Sequence, residues 1–168
     1  MKLFVLVVRL ALGALFVGHG TQKLLGWFGG HGLDGTAGFF ESLGIRPGRQ
    51  HATIAGAAET GGGALLAAGL ATPVGAAAIT GVMVTAIRTV HAPNGPWVSD
   101  GGWEYPAVII ATVALITEVG PGPVSLDAAR GSQRSGMGWA LAALAAGAAA
   151  STALLRDWER PAPPAEPA

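Results

Sequence analysis

The sequence predicts an all-α fold, an integral-membrane helical bundle with a four-helix core and a fifth, C-terminal transmembrane helix. Hydrophobic residues make up 51% of the 168 residues and charged residues only 12%. A water-facing domain normally carries about 25% charged residues, so this chain cannot cover a globular surface with charge. Glycine is abundant, at 27 residues, which suits helices that pack closely in lipid.

Five apolar segments approach the roughly 20 residues that cross a bilayer core. They span residues 3–25, 51–70, 73–89, 103–119 and 137–155. Arg9 interrupts the first segment and no small-residue cleavage site follows, so we interpret this segment as a retained helix rather than a signal peptide.

Short-range features refine the later segments. Ala71 and Thr72 leave a very short connection, which predicts that the second and third segments are antiparallel neighbours. Ala143, Gly147 and Ser151 form a stripe of small residues on the fifth segment. Such stripes let helices approach closely, and we favour packing within the chain over a dimer interface.

The chain divides into a four-helix membrane domain over residues 1–127, a polar link with the fifth helix over residues 128–156, and a Pro-rich tail over residues 157–168 that we expect to be disordered. The connection 26–50 is aromatic and is expected to lie at the membrane interface. Its Phe39, Phe40 and Leu43 suit the apolar side of a short amphipathic helix. Lys2 favours a cytoplasmic N-terminus, although the loop arginines favour the opposite orientation.

Charge and cysteine content exclude several functions. Ten basic and ten acidic residues cancel, and no basic patch indicates a nucleic-acid partner. The absence of cysteine excludes disulfides, thiolate nucleophiles, iron–sulfur clusters and covalent c-type haem attachment. Any redox chemistry must therefore belong to a bound small molecule or to a partner protein.

Ionisable groups inside membrane helices cost about 2.5–3.5 kcal/mol at the helix centre, so they mark either a function or a structural pair. We call the membrane side reached by the end of the first helix the distal face, and the opposite side the proximal face. Chain direction places most ionisable residues of the helices in the distal half and only Arg9 and Glu118 in the proximal half. The candidate ligand-binding residues of the distal half are His19, Gln22, Lys23, Glu59, Arg88, His91, Glu104 and Tyr105.

Glu59 is the predicted centre of this group. It lies about 12 Å below the distal face at 1.5 Å per residue, too deep to reach water easily. We expect a cation to face it, Arg88 first and Lys23 second, because the third segment is the immediate neighbour of the second. For Lys23, Arg88 and Glu104 the alternative is that helix-end side chains extend to water.

No metal site is predicted, and no catalytic residue can be assigned. His19 and His91 lie on the same membrane side, so their positions would allow them to hold a haem between them. No paired ligand motif supports it, and we expect no tightly bound metal or haem. His31 and His51 are interpreted as ordinary loop residues.

Three groups of residues resemble the DoxX family of small bacterial membrane proteins: Gly18-His19-Gly20 followed by Gln22-Lys23-Leu24, then Glu59, then the run GGWEYP at residues 101–106. The resemblance extends over about residues 3–127. It implies a four-helix membrane protein related to the small subunit of a quinol oxidase or thiosulfate:quinone oxidoreductase. For some members it implies assembly with a superoxide dismutase and a thiosulfate sulfurtransferase. This chain departs from the family by its fifth helix and Pro-rich tail.

The resemblance implies a membrane subunit of a redox system that is quinone-linked or that recruits a soluble redox enzyme to the membrane. The expected location is the bacterial plasma membrane, as a multi-pass protein in the lipid bilayer, with homo-oligomers also open. Whether the chain is an enzyme, as an oxidoreductase subunit acting with quinone, stays undecided. Quinone is the one cofactor expected. The alternatives are a non-catalytic membrane scaffold and a small-solute or proton transporter that uses Glu59 as its carrier.

Overall fold

A computed structural model of the chain describes residues 2–158. Those residues form seven α-helices: α1 Lys2–Leu25, α2 Gly32–Ser42, α3 Gly48–Ala68, α4 Thr72–Ala86, α5 Glu104–Val119, α6 Leu126–Ala129 and α7 Met137–Leu154. A π-helical turn, Ile87–His91, continues α4, and short 3₁₀ turns lie in the connections. The five predicted segments correspond to α1, α3, α4, α5 and α7, so the prediction of an all-α membrane bundle is confirmed.

Three stretches of the described chain are long and apolar enough to cross a membrane: Leu3–Leu25, Thr72–Asn94 and Met137–Leu154. The C-terminal helix is therefore long and apolar enough to cross a bilayer, although it is shorter and less hydrophobic than the first. At 1.5 Å per residue, α3 is about 32 Å long and α5 about 24 Å. A small tilt of the longer helices and local thinning beside α5 accommodate this difference in one bilayer.

The helix α4 is the centre of the bundle. It packs against α3, α5 and α7, whereas α1 packs mainly against α3. Leu66, Ala76, Ile79 and Val113 are fully buried where α3, α4 and α5 meet. The predicted antiparallel pairing across Ala71-Thr72 is confirmed by the contact between α3 and α4.

The helix α7 approaches α4 closely because its facing residues are small. A Cβ added at Gly147 would lie 2.6 Å from the Ala77 carbonyl oxygen, so only glycine fits this crossing. Ala143 and Ser151, one turn to either side, are buried, and Ser151 accepts a 2.9 Å hydrogen bond from Thr85. The predicted stripe of small residues therefore packs within the chain.

The connection from α1 to α3 folds as the predicted short helix. The helix α2 packs on α1 and α3, burying Thr36 and Ala37. Phe39 stays 51% exposed, while Phe40 and Leu43 are half-buried. The aromatic side of α2 is thus divided between the protein and its surroundings.

The C-terminal end of α7 returns to this connection. The indole Nε1–H of Trp158 donates a 2.7 Å hydrogen bond to the Leu43 carbonyl oxygen, and Leu155 is buried. Of the tail predicted to be disordered, residues 157–168, the structure describes residues 157 and 158, and residues 159–168 lie outside the described part of the chain.

The link between α5 and α7 is more than a connector. Arg9 of α1 is 1% exposed, and its two terminal nitrogens donate to the carbonyl oxygens of Pro121 and Val124, the second at 2.7 Å. The buried Asp127 carboxylate accepts from the backbone N–H groups of Ala71 and Thr72, at 3.0 and 3.3 Å. These bonds tie α1, the α3–α4 turn and the link together at the proximal face.

Candidate functional site

A cavity of about 420 Å³ opens in the distal half of the bundle. Its walls come from α1, α2, α3, α4, α5 and α7 and are predominantly apolar. The polar residues of its lining are His19, Lys23, His51, Glu59, Thr85, Thr89, His91 and Tyr105. Five of the eight residues predicted from the sequence therefore line one cavity.

Glu59 and Lys23 form the charged end of this cavity. Lys23 Nζ lies 2.7 Å from Glu59 Oε2, and Glu59 is only 3% exposed. Among residues 2–158 the Lys23 ammonium is the one donor that reaches this carboxylate. A carboxylate can accept about four hydrogen bonds, so Glu59 retains unused acceptor capacity.

Close packing of α1 on α3 brings the two charges together. A Cβ at Gly20 would lie 2.6 Å from the Gly56 carbonyl oxygen, so the backbones nearly touch. Glu59 follows Gly56 by three residues and therefore shares its helix face. Lys23 follows Gly20 by three residues, so it lies on the same face of α1 and its side chain reaches α3.

The expectation that Arg88 would be the first partner of Glu59 is wrong, because Lys23 holds that place. Arg88 does not line the cavity, and its Nη1 donates to Thr152 Oγ1 of α7 at 3.3 Å. The reason is helical phase. Arg88 follows Thr85 by three residues, and Thr85 faces Ser151 of α7 rather than α3.

The two distal histidines are oriented by local hydrogen bonds. His19 Nδ1 lies 3.1 Å from Gln22 Oε1, and the Gln22 amide donates to the Phe28 carbonyl oxygen at 3.2 Å. His91 Nδ1 lies 2.7 Å from the Gly101 carbonyl oxygen. Because both partners are acceptors, the bonded Nδ1 is the donor in each pair, which leaves Nε2 facing away from it. Gln22 thus positions His19 without lining the cavity itself.

The residues at the start of α5 divide in the same way. Tyr105 lines the cavity and is 55% exposed. Glu104 does not line it, and its carboxylate instead accepts a 2.6 Å hydrogen bond from the Val98 backbone N–H. Glu104 therefore secures the α4–α5 loop.

Two contributions to the cavity were missed in the sequence. His51, interpreted as an ordinary loop residue, lies in the first turn of α3 and lines the cavity. Ala150, Leu154 and Leu155 of the C-terminal segment form another part of the wall. The apolar periodicity of α7 gave no signal of a neighbouring cavity, whereas His51 was detectable because it lies eight residues before Glu59 and therefore on the same face of α3.

Within residues 2–158 the His, Asp and Glu side chains form no group of three that could hold a metal ion. The chemistry that the cavity offers is hydrogen bonding and charge at one end of an apolar space. Its volume lies within the ~300–1,000 Å³ typical of small-molecule sites.

Comparison with known protein families gives one match. The family model described as DoxX matches residues 4–92, which is more than half of the chain. The match includes α1 to α4 and the residues of the Lys23–Glu59 pair, and it ends before α5 and α7. Searches of curated proteins and of solved structures each return no match.

Proposed function

Because this protein belongs to the DoxX family, a membrane family associated with quinone-linked redox reactions, we propose that it is a quinone-binding membrane subunit of a redox system. The proposed location is the bacterial plasma membrane, with α1, α3, α4, α5 and α7 as spans. In this proposal the distal cavity holds the quinone. A soluble redox enzyme on the distal side supplies or accepts the electrons, since the chain has no cysteine to hold a cluster.

One observation supports this proposal above others: the buried Glu59 carboxylate faces an apolar cavity, and among residues 2–158 Lys23 is the cation that contacts it. A structural ion pair in a membrane helix is normally completed by further hydrogen bonds. Here the acceptor capacity left on Glu59 suits the hydroxyl groups of a quinol, and the Lys23 ammonium suits the carbonyl oxygen of a quinone.

The remaining lining supports the same ligand chemistry. The Nε2 atoms of His19 and His91 and the hydroxyl of Tyr105 are further hydrogen-bonding groups of the cavity. Phe16, whose ring lies edge-on at 6.3 Å from that of His19, offers an aromatic surface for a quinone ring.

The test compares Glu59→Gln with Glu118→Gln, which changes an exposed glutamate of α5 near the proximal face. Each protein is purified in mild detergent, and its bound lipids are identified by mass spectrometry. We expect quinone with the wild type and with Glu118→Gln, and little or none with Glu59→Gln. Equal quinone in the two variants, both folded by thermal melting, would contradict the proposal.

A second candidate is a scaffold that recruits a soluble redox enzyme through the distal face. Trp27 and Phe28 form an exposed turn there, and Phe28 is 76% exposed with a positive φ of 52°. A non-glycine residue with positive φ is uncommon, so this turn holds an aromatic ring outward at a conformational cost. Phe28→Ala should then abolish co-purification of a soluble enzyme and leave bound quinone unchanged. A homo-oligomer would carry one such turn on each subunit.

A further inference from the structure

The cavity continues beyond its charged end into a narrow apolar space between α3 and α7. Small residues line this space: Ala55 and Ala58 on α3, Ala78 and Gly81 on α4, and Ala150 on α7. Because none of these side chains extends beyond a methyl group, the space between the helices stays open as a groove.

The groove opens sideways, at the level of the membrane interior. Ile54 and Ala150 both line the cavity and are also exposed. Ile54 is six residues into α3, about 9 Å from its distal end, and Ala150 lies about 6 Å below the distal end of α7. With these helices spanning a bilayer, as proposed above, side chains exposed at that depth would face lipid rather than water.

On the distal side, which faces water, protein residues cover the groove. Leu43 and Ile45, after α2, and Leu155, after α7, line the cavity from the distal side. Ile45 is 3% exposed and Leu155 is 4% exposed. The hydrogen bond from Trp158 to the Leu43 carbonyl oxygen joins the two halves of this cover.

From this arrangement we infer that α7 makes the site selective for ligands with a hydrocarbon chain, which lies in the groove between α3 and α7 and arrives from the bilayer. Ala150 is the specificity-determining residue of α7, because it lies at the lateral opening. The inference rests on the proposed function, since the head of the same ligand would occupy the Lys23–Glu59 end.

The position of Ala150 is fixed by its own helix. Gly147, one turn earlier, contacts α4, and Ser151, the next residue, is hydrogen-bonded to Thr85. Ala150 Cβ lies beside Gly81 of α4, 3.9 Å from where a Cβ on Gly81 would stand, so a larger side chain at position 150 would fill the part of the groove next to Gly81. The α7 wall lies beyond the matched residues 4–92, so this selectivity belongs to the C-terminal part of the chain.

The experiment uses the full chain in lipid nanodiscs and a quinone whose ten-carbon tail ends in a photoreactive diazirine. Tryptic cleavage gives α7 its own peptide, residues 135–156, and places most of α3 with α4 in residues 50–88. The lipid-exposed part of α1 falls in residues 10–23 and reports random labelling from the bilayer. We expect labelling concentrated on 135–156 and 50–88 and suppressed by excess tailed quinone.

The matched variants are Ala150→Phe and Ala149→Phe, the latter an exposed neighbour outside the cavity. Ala150→Phe should weaken binding of the tailed quinone about tenfold, the loss expected when roughly two methylene groups are no longer buried. It should leave binding of a tailless quinone unchanged, and Ala149→Phe should alter neither.

The outcomes separate this inference from the proposed function. Labelling suppressed by both quinones but confined to peptides other than 135–156 keeps the quinone site and overturns the α7 groove. Labelling that neither quinone suppresses shows an ordinary lipid chain and overturns both. Because the peptide map is obtained on the wild type, it decides the question even if Ala150→Phe fails to fold.

Discussion

The two halves of this bundle treat buried charge in opposite ways. At the proximal face, Arg9 donates to two backbone carbonyl groups, and the Asp127 carboxylate is surrounded by backbone and hydroxyl donors. In the distal half, Glu59 is as deeply buried, but in the described part of the chain it has Lys23 as its one ion-pair partner and a cavity beside it. The first arrangement holds helices together, and the second leaves bonding capacity for a ligand.

The largest expected effect is at the proximal face. Arg9→Met leaves the carbonyl groups of Pro121 and Val124 without their donor and removes the cation near Asp127. Breaking one partner of a buried charge network costs about 3–5 kcal/mol, so the variant should melt at a much lower temperature or fail to fold. Arg49→Met, which breaks the exposed pair with Asp34, is the control and should change the melting temperature little. Similar melting temperatures of the two variants would show that the buried charge stabilises the fold no more than the exposed pair does.

The α4–α7 contact should show the next largest effect. Gly147→Ala places a methyl group 2.6 Å from the Ala77 carbonyl oxygen, and overpacking of this kind costs about 1–3 kcal/mol. Gly138→Ala, on the same helix with open space around it, should be neutral or stabilising. The difference in thermal melting between these two glycines measures how firmly α7 is docked.

A double-mutant cycle sharpens the distal half of the comparison. Lys23→Gln and Glu59→Gln should be non-additive, with a coupling of about 1 kcal/mol, because the two side chains are in contact. Arg88→Gln and Glu59→Gln should add within roughly 0.3–0.5 kcal/mol. Both cycles are measured by thermal or chemical denaturation. Coupling of Glu59 to Arg88 instead of Lys23 would contradict the Lys23–Glu59 contact.

The smallest expected effect is at the cover of the cavity. Trp158→Phe keeps an aromatic ring and removes the hydrogen bond to Leu43, which is worth about 0.5–1.5 kcal/mol. Thermal stability should fall slightly, and maleimide labelling of a cysteine introduced at Leu155 should become faster. Because the natural chain has no cysteine, that labelling reports a single site. Trp97→Phe, in an exposed loop, is the control that should leave the rate unchanged.

The helices and the side of the membrane that holds the polar residues were predictable, because apolar length and chain direction determine both. The partner of Glu59 was mispredicted because adjacency of helices was used without their rotation. Arg88 belongs to the face of α4 that carries Thr85, and that face contacts α7. Glu59 shares a face with Gly56, where α1 approaches α3.

Other features depend on long-range contacts that periodicity does not encode. Nothing near Arg9 in the sequence points to Pro121 and Val124, more than a hundred residues away. Trp158 contacts the Leu43 carbonyl oxygen across a similar separation. Both contacts use backbone carbonyl groups as acceptors, and backbone acceptors leave no mark on residue identity.

The position of α7 in the chain has a consequence for biosynthesis. Among the described helices it leaves the ribosome last, after α1 to α5 have become available for insertion. Until it docks, the small-residue face of α4 that receives Gly147 is open to acyl chains. We therefore expect chains stalled before residue 137 to expose a glycine- and threonine-bearing surface of α4 to lipid until α7 is made and covers it.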